Sequence, residues 1–158
     1  MQKMILHPIG KISVCDGKAA VVLDEEYAPA LTGLEGFSCA QILWWFDGCD
    51  NENSRTKLTM EKPYRHGPDD MGTFATRSPE RPNPIALSCA FVTGIDRANG
   101  IVHLAYIDAF DGSPVLDVKP YTPSLDRVEA PQVPDWCGHW PDSVEKSGEF
   151  DWEAEFNF

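Results

Sequence analysis

Three dipeptides, Asp16-Gly17, Asn99-Gly100 and Asp111-Gly112, each fall between short runs of apolar residues. Asp-Gly and Asn-Gly supply the positive φ values of a tight turn, so each one folds the chain back instead of letting a helix run on. The runs they separate are strand-sized. MILHPIGKI reads as a first strand and KAAVVLD as a second. FSCAQILWWF is apolar throughout and cannot be assigned by period, but its aromatics and its length favour a buried strand. KLTMEKPYRH reads as a further strand, and IALSCAFVTGID, GIVHLAYIDAF and PVLDVKPY as three more. EEYAPALTGLEG is broken by Pro29, Gly33 and Gly36, which leaves room for no more than a short helix or helical turn. Many short strands at this spacing imply a mainly β fold, an antiparallel barrel or sandwich.

The stretch GTFATRSPERPNPIALS, residues 72–88, breaks this pattern with Pro79, Pro82 and Pro84. Proline fixes φ, removes a backbone donor and pushes the preceding residue towards extended geometry, so these residues form neither a helix nor a central strand. An ordered loop is expected. Arg77 and Arg81 lie on it. A stiff loop loses little entropy on holding a ligand, and arginine grips carboxylates and phosphates with a planar fork of donors. A proline-rich surface turn with solvated arginines fits the same residues.

A chain of 158 residues is the size of one domain and buries a core without disulfides or metal. Cys15, Cys39, Cys49, Cys89 and Cys137 form no CxxC pair, which suits free thiols in a reducing compartment. No segment approaches the roughly 20 apolar residues of a membrane span, and the N-terminus lacks the apolar run of a signal peptide, so a cytoplasmic protein with no membrane partner is expected. The net charge is −12, of which residues 129–158 carry −7. Such a balance disfavours tight nucleic-acid binding, which rests on lysines and arginines displacing counterions, although a local basic groove can coexist with it.

No glycine-rich phosphate loop links a strand to a helix, and Ser78 and Ser88 lack a nucleophile-elbow context. No metal is expected: His7, His66, His103 and His139 share no ligand spacing, and Cys137 with His139 in WCGHW provides only two ligands. The stretch YIDAFDGSPVLDVKPY sets Asp108 and Asp111 around a turn and Asp117 and Lys119 on the next strand. Aspartates at a turn commonly cap backbone amides. They also accept hydrogen bonds from a ribose diol or pair with an ammonium or sulfonium, groups that S-adenosylmethionine carries together with a carboxylate.

FATRSPERPNPIALS followed by IDAFDGSPVLDVKPY resembles the paired signatures of the TsaA/TrmO (YaeB-like) family. PIGKI and LTGLEGFSCAQILWWF are similar to its opening strand and a later segment. The resemblance runs from about residue 5 to about residue 126. It implies an antiparallel β-barrel with short helical turns over residues 1–128, with 129–158 as an acidic, aromatic extension packed on or near it. It implies an S-adenosylmethionine-dependent methyltransferase acting on the exocyclic amine of threonylcarbamoyl-adenosine in tRNA, and a homodimer. Methyl transfer to a small molecule or another RNA, and a non-catalytic dimeric ligand-binding module, are the alternatives. By the same resemblance Arg77, Leu87, Asp108, Ala109, Phe110 and Asp111 contact the cofactor, with Asp47 and Gly48 after the aromatic strand. Arg81, Asn83, Asp117, Lys119 and Tyr121 shape the pocket or hold substrate. The chain departs from the family pattern in its short first loop, SVCDGKAAVVLD, and at Asp47, Glu80 and Ala86. No general base stands out.

Overall fold

The structure, a computed structural model, describes residues 4–157, which cluster into two compact units. The first takes the described residues up to Cys49 and Pro84–Arg127; the second takes Asp50–Asn83 and the chain from Val128 onward.

The first unit is built from β1 (Gly10–Cys15), β2 (Lys18–Leu23), β3 (Cys39–Trp45), β6 (Ile85–Asp96), β7 (Ile101–Leu104) and β8 (Pro114–Pro120). They close into an antiparallel barrel in the order β1-β2-β7-β6-β3-β8. Closure leaves no unpaired sheet edge. Alternation decides which side chains face inward. In β3, Ala40, Ile42 and Trp44 are buried while Cys39, Gln41, Leu43 and Trp45 between them are not. Ile12, Val21, Ile42, Val102 and Val115, from five different strands, are each 0% exposed and form the centre of the core. At Gly10 a Cβ would lie 2.2 Å from the Val22 carbonyl oxygen of β2, so no other residue fits. β6 serves both sides of the barrel. Cys39–Trp45 pairs with its first half, β7 with its second, and the register shifts between Val92 and Gly94 where the strand bends.

The β1–β2 turn forms as read, with Asp16 at φ 50° and Gly17 at φ 73° between the paired Cys15 and Lys18. Asn99-Gly100 closes the β6–β7 hairpin in a four-residue connection in which both oxygens of Asp96 accept from Asn99. EEYAPALTGLEG yields a 3₁₀ turn over Glu25–Leu31.

Three strand readings change. MILHPIGKI supplies only the start of β1, because Pro8 lacks a donor and ladder pairing begins at Gly10. GIVHLAYIDAF leaves the sheet after Leu104. Asp111-Gly112 therefore makes no hairpin: β7 pairs with β2 and β6, whereas β8 pairs with β1 and β3. KLTMEKPYRH keeps only β4 (Thr59–Glu61), which pairs with β5 (Asp70–Gly72) in a two-stranded sheet of the second unit.

The second unit also holds α1 (Glu52–Thr56), α2 (Val144–Ser147) and α3 (Trp152–Glu155), single turns capped by Asn51, Ser143 and Asp151. Its centre is aromatic. Tyr64 stacks on Trp136 at 5.3 Å and meets Trp140 edge-on at 5.1 Å, and Trp152 packs on Trp140 and Phe156. The tail runs antiparallel to residues 62–65: Tyr64 bridges Phe156, Arg65 N donates to Glu155 O, and Asn157 N donates to Pro63 O. The acidic run is thus folded structure, fastened by its aromatics.

Candidate functional site

Strand direction gathers several of the residues singled out above at one end of the barrel. β3 ends there at Trp45, which pairs with Ile85 at the start of β6, and Trp44 faces Val115 at the start of β8. Asp47 and Gly48 follow β3 in a 3₁₀ turn, and both are exposed. Leu87 lies on the outer face of β6, 45% exposed, in line with Leu43 of β3 and Asp117 of β8. The segment that left the sheet after Leu104 enters β8 at the same end. It presents Phe110 at 88% exposure and buries Ile107 as its anchor.

This turn is pinned to the end of β1. Asp111 Oδ1 accepts from Val14 N at 2.9 Å, and Gly112 N donates to Ile12 O at 2.9 Å. Asp111 therefore performs the backbone-capping role open to it in sequence. In doing so it fixes Asp108, Ala109 and Phe110, which no ladder pairing holds, against the barrel wall. Asp108 is exposed. Desolvation of the Tyr106 phenol end, and then the Asp108 charge beside it, push the Tyr106 hydroxyl above its ordinary value. An exposed carboxylate, a solvent-facing phenyl ring and a phenol on one pinned turn can hold a cation or a diol and cover a flat ring.

Lys119 and Tyr121 lie towards the other end. Lys119 faces Gln41, and Tyr121 N donates to Cys39 O at the start of β3. Leu43 lies four positions along the strand from Cys39, about 13 Å at the usual rise. Lys119 also pairs with Asp117 at 2.5 Å, so the two neutralise each other. An apolar groove of the barrel unit, lined by Leu23, Tyr27, Leu31, Phe37 and Val118, includes Asp117 but none of the proposed cofactor contacts.

Arg77, Arg81 and Asn83 belong to the second unit. Their loop is ordered without being helix or strand, as the prolines require. A ladder of short bonds holds it: Thr76 Oγ1 donates to Thr73 O, Ser78 N to Thr76 Oγ1, and Glu80 N to Ser78 Oγ. Arg81 Nη1 donates to Ser78 O at 3.3 Å, so this arginine braces its own loop. Arg55 Nη1 reaches Pro82 O, and Lys57 pairs with Glu80. Arg77 is exposed, next to Tyr64. Burial raises the Tyr64 hydroxyl, while the Arg77 backbone and charge pull it down. The aromatic tail thereby supports the residue against which Arg77 rests.

Sequence reasoning missed one grouping, His66, His139 and Glu155, whose ligand atoms all lie within 4.8 Å of one another. Those positions are far apart in the chain and carry no local signature.

Residues 5–127 match the model of the tRNA-methyltransferase O N-terminal domain. The chain is 33% identical over 139 residues to an S-adenosyl-L-methionine-binding protein of Archaeoglobus fulgidus, covering 79% of this chain and 94% of that protein. It is 35% identical over 121 residues to a tRNA (adenine(37)-N6)-methyltransferase of Escherichia coli, covering 75% of this chain and 51% of that enzyme. A crystal structure of TrmO superimposes with a TM-score of 0.66 at 28% identity, over 84% of this chain and 64% of that one. The chain thus spans about half the length of the bacterial enzyme and nearly all of the archaeal protein. The barrel, both signature segments and the pinned 106–111 turn fall inside the matched residues, and the chain belongs to the tRNA-methyltransferase O N-terminal domain family.

Proposed function

We propose that this chain is an S-adenosylmethionine-dependent methyltransferase that methylates the exocyclic amine of threonylcarbamoyl-adenosine in tRNA. The observation that carries the reading is the single family match over residues 5–127, which contains both the arginine loop and the 106–111 turn. The relatives named as a tRNA (adenine(37)-N6)-methyltransferase and as an S-adenosyl-L-methionine-binding protein support the reaction and the cofactor.

The donor set suits the cofactor. Asp108 and Asp111 are carboxylates matched to an ammonium, a sulfonium or a ribose diol, and Phe110 offers an exposed ring for adenine. Ala109, Leu87, Asp47 and Gly48 are assigned the further cofactor contacts on the barrel, and the family resemblance assigns Arg77 the cofactor carboxylate. S-adenosylmethionine, when bound, supplies an activated methyl group. The protein's part is to orient the acceptor amine and to exclude water, a large share of the acceleration when a bimolecular step is made effectively intramolecular. Asn83, Asp117 and the braced Arg81 are assigned to shaping the pocket or holding the acceptor, whereas Lys119 and Tyr121, towards the other end of the barrel, are not.

A homodimer accompanies this reading. The outer faces of β3 and β6 carry half-buried Leu43, Trp45 and Ile85 beside exposed Leu87 and Phe91, an apolar strip suited to a second copy. A cytoplasmic location is part of the proposal; among the described residues no helix is long and apolar enough to cross a membrane.

A small-molecule acceptor is the second reading, favoured by charge. Of the cations available for phosphates, Arg55, Lys57 and Lys119 are each paired with an acid. Few phosphates are then neutralised, so tRNA affinity is weak and falls steeply with salt. Titration calorimetry with S-adenosylmethionine tests the cofactor. Arg77→Ala is expected to lose about 1.5–3 kcal/mol, a roughly tenfold to hundredfold weakening. Absence of heat and of thermal shift at millimolar cofactor overturns the reading. Labelled cofactor incubated at low ionic strength with tRNA bearing threonylcarbamoyl-adenosine tests the acceptor, and a protein that binds cofactor yet leaves this tRNA unlabelled moves the assignment to a small molecule.

A further inference from the structure

The second unit contains a constellation unrelated to methyl transfer. His139 follows the 3₁₀ turn Asp135–Cys137, Glu155 ends α3, and His66 sits two residues beyond the Tyr64 that bridges Phe156. His139 Nε2 lies 2.9 Å from Glu155 Oε2, and the His66 and His139 rings meet at 5.2 Å, nearly perpendicular. Both histidines are exposed, whereas Glu155 is 4% exposed. Its other oxygen, Oε1, is buried and has no hydrogen-bond partner among the described residues. The indole Nε1 of Trp140 is similarly unpartnered, close enough to favour the carboxylate but not in hydrogen-bonding geometry.

A carboxylate set among aromatic rings with one oxygen unsatisfied is costly unless a cation meets it. Two imidazoles on its open side supply neutral nitrogen donors. We propose that His66, His139 and Glu155 bind one divalent first-row transition-metal ion, with Zn²⁺ as the representative case and a solvent molecule in the fourth position. The chemistry fits two nitrogens and one carboxylate oxygen, a ligand set suited to zinc and poorly suited to calcium or magnesium. The spacing fits as well. Metal–ligand bonds of about 2.0–2.1 Å set neighbouring tetrahedral ligands about 3.3 Å apart, so the 2.9 Å contact opens slightly and the remaining separations, all within 4.8 Å, close by rotation of exposed rings. Binding needs the lone pairs of neutral histidines and releases any protons they hold. Because the ligands come from three separate stretches, the ion ties the tail to residues 62–66 and stabilises the folded unit.

The test uses the whole chain, stripped with a chelator and dialysed, and titrated calorimetrically with Zn²⁺ in a reductant that does not bind metal. One ion per chain at micromolar affinity or tighter is expected, with a rise in melting temperature. His66→Ala and His139→Ala each weaken binding at least tenfold and abolish that rise. His66 is exposed, so its variant remains folded even where Glu155→Gln does not. Co²⁺ substitution is expected to give visible bands without a thiolate charge-transfer band. Absence of saturable one-to-one binding overturns the site, as does binding that His66→Ala leaves unchanged or that shows thiolate ligation.

Discussion

In the barrel, each strand has a partner on both sides and the centre is filled by Ile12, Val21, Ile42, Val102 and Val115. In the unit made of Asp50–Asn83 and the tail, regular structure is limited to single helical turns and a three-residue strand pair, and rings take over: Tyr64, Trp136, Trp140, Trp152 and Phe156. Aliphatic packing on a closed ladder spreads stability over many small contacts. An aromatic cluster concentrates it in a few large ones. The difference teaches that the acidic extension, whose charge reads as a solubilising face, is the scaffold of the unit that carries Arg77.

The sharpest way to break this contrast is Tyr64→Ala. Removing a buried ring that packs on Trp136, Trp140 and Phe156 is expected to cost about 3–5 kcal/mol, read as a lowered denaturant midpoint together with loss of near-ultraviolet aromatic dichroism. A cost under about 1 kcal/mol would show that the rings are ornaments on a unit held by other means. The barrel counterpart is smaller. Ile42→Val deletes one methylene from a fully buried side chain and is expected to cost about 0.5–1.5 kcal/mol, with that aromatic signal intact.

Acid probes the comparison more gently. Burial raises the Glu155 carboxyl, but the hydrogen bond from His139, the Trp140 indole and the charges of His139 and His66 outweigh it and hold the group below its ordinary 4.5. A folded value below the unfolded one gives stability that is complete above 4.5 and lost as pH falls through the lower folded value. Urea unfolding monitored by tryptophan fluorescence at descending pH is expected to show that loss, and His139→Ala to reduce it. A pH dependence identical in wild type and variant would detach Glu155 from the stability of the second unit.

The barrel was legible because its signals are local. The aromatics and length of FSCAQILWWF, the positive-φ pair Asp16-Gly17 and the run IALSCAFVTGID each declare an element within a dozen residues, and the two signature segments declare the family; the inward alternation of Ala40, Ile42 and Trp44 shows only in the structure. The pinned 106–111 turn was harder to read, since Tyr106 and Phe110 prolong an apolar run, and the bonds that mark its departure from the sheet, Val14 N to Asp111 and Gly112 N to Ile12 O, reach back about a hundred residues. Of the stretch 72–88 only residues 76–84 form the ordered loop, since Thr73–Ala75 make a 3₁₀ turn and Ile85 onward joins β6, and the loop's arginines differ: Arg81 braces Ser78, while Arg77 stands at the surface beside Tyr64. The aromatic cluster and the His66, His139 and Glu155 grouping were invisible for one reason. Tyr64 and His66 are brought to their partners in the tail by tertiary folding across some seventy to ninety residues, and no periodicity spans that distance.

The antiparallel bridge between Tyr64 and Phe156 also sets an order of events during synthesis. Residues 50–83 leave the ribosome long before the rings that cover them, so Tyr64 must wait through the production of β6, β7 and β8 with its apolar face unmatched. The barrel needs β8 before Gly10 can pair with Val115 and close it. The second unit needs Phe156 as well, so its ring cluster is completed only after every barrel strand is available.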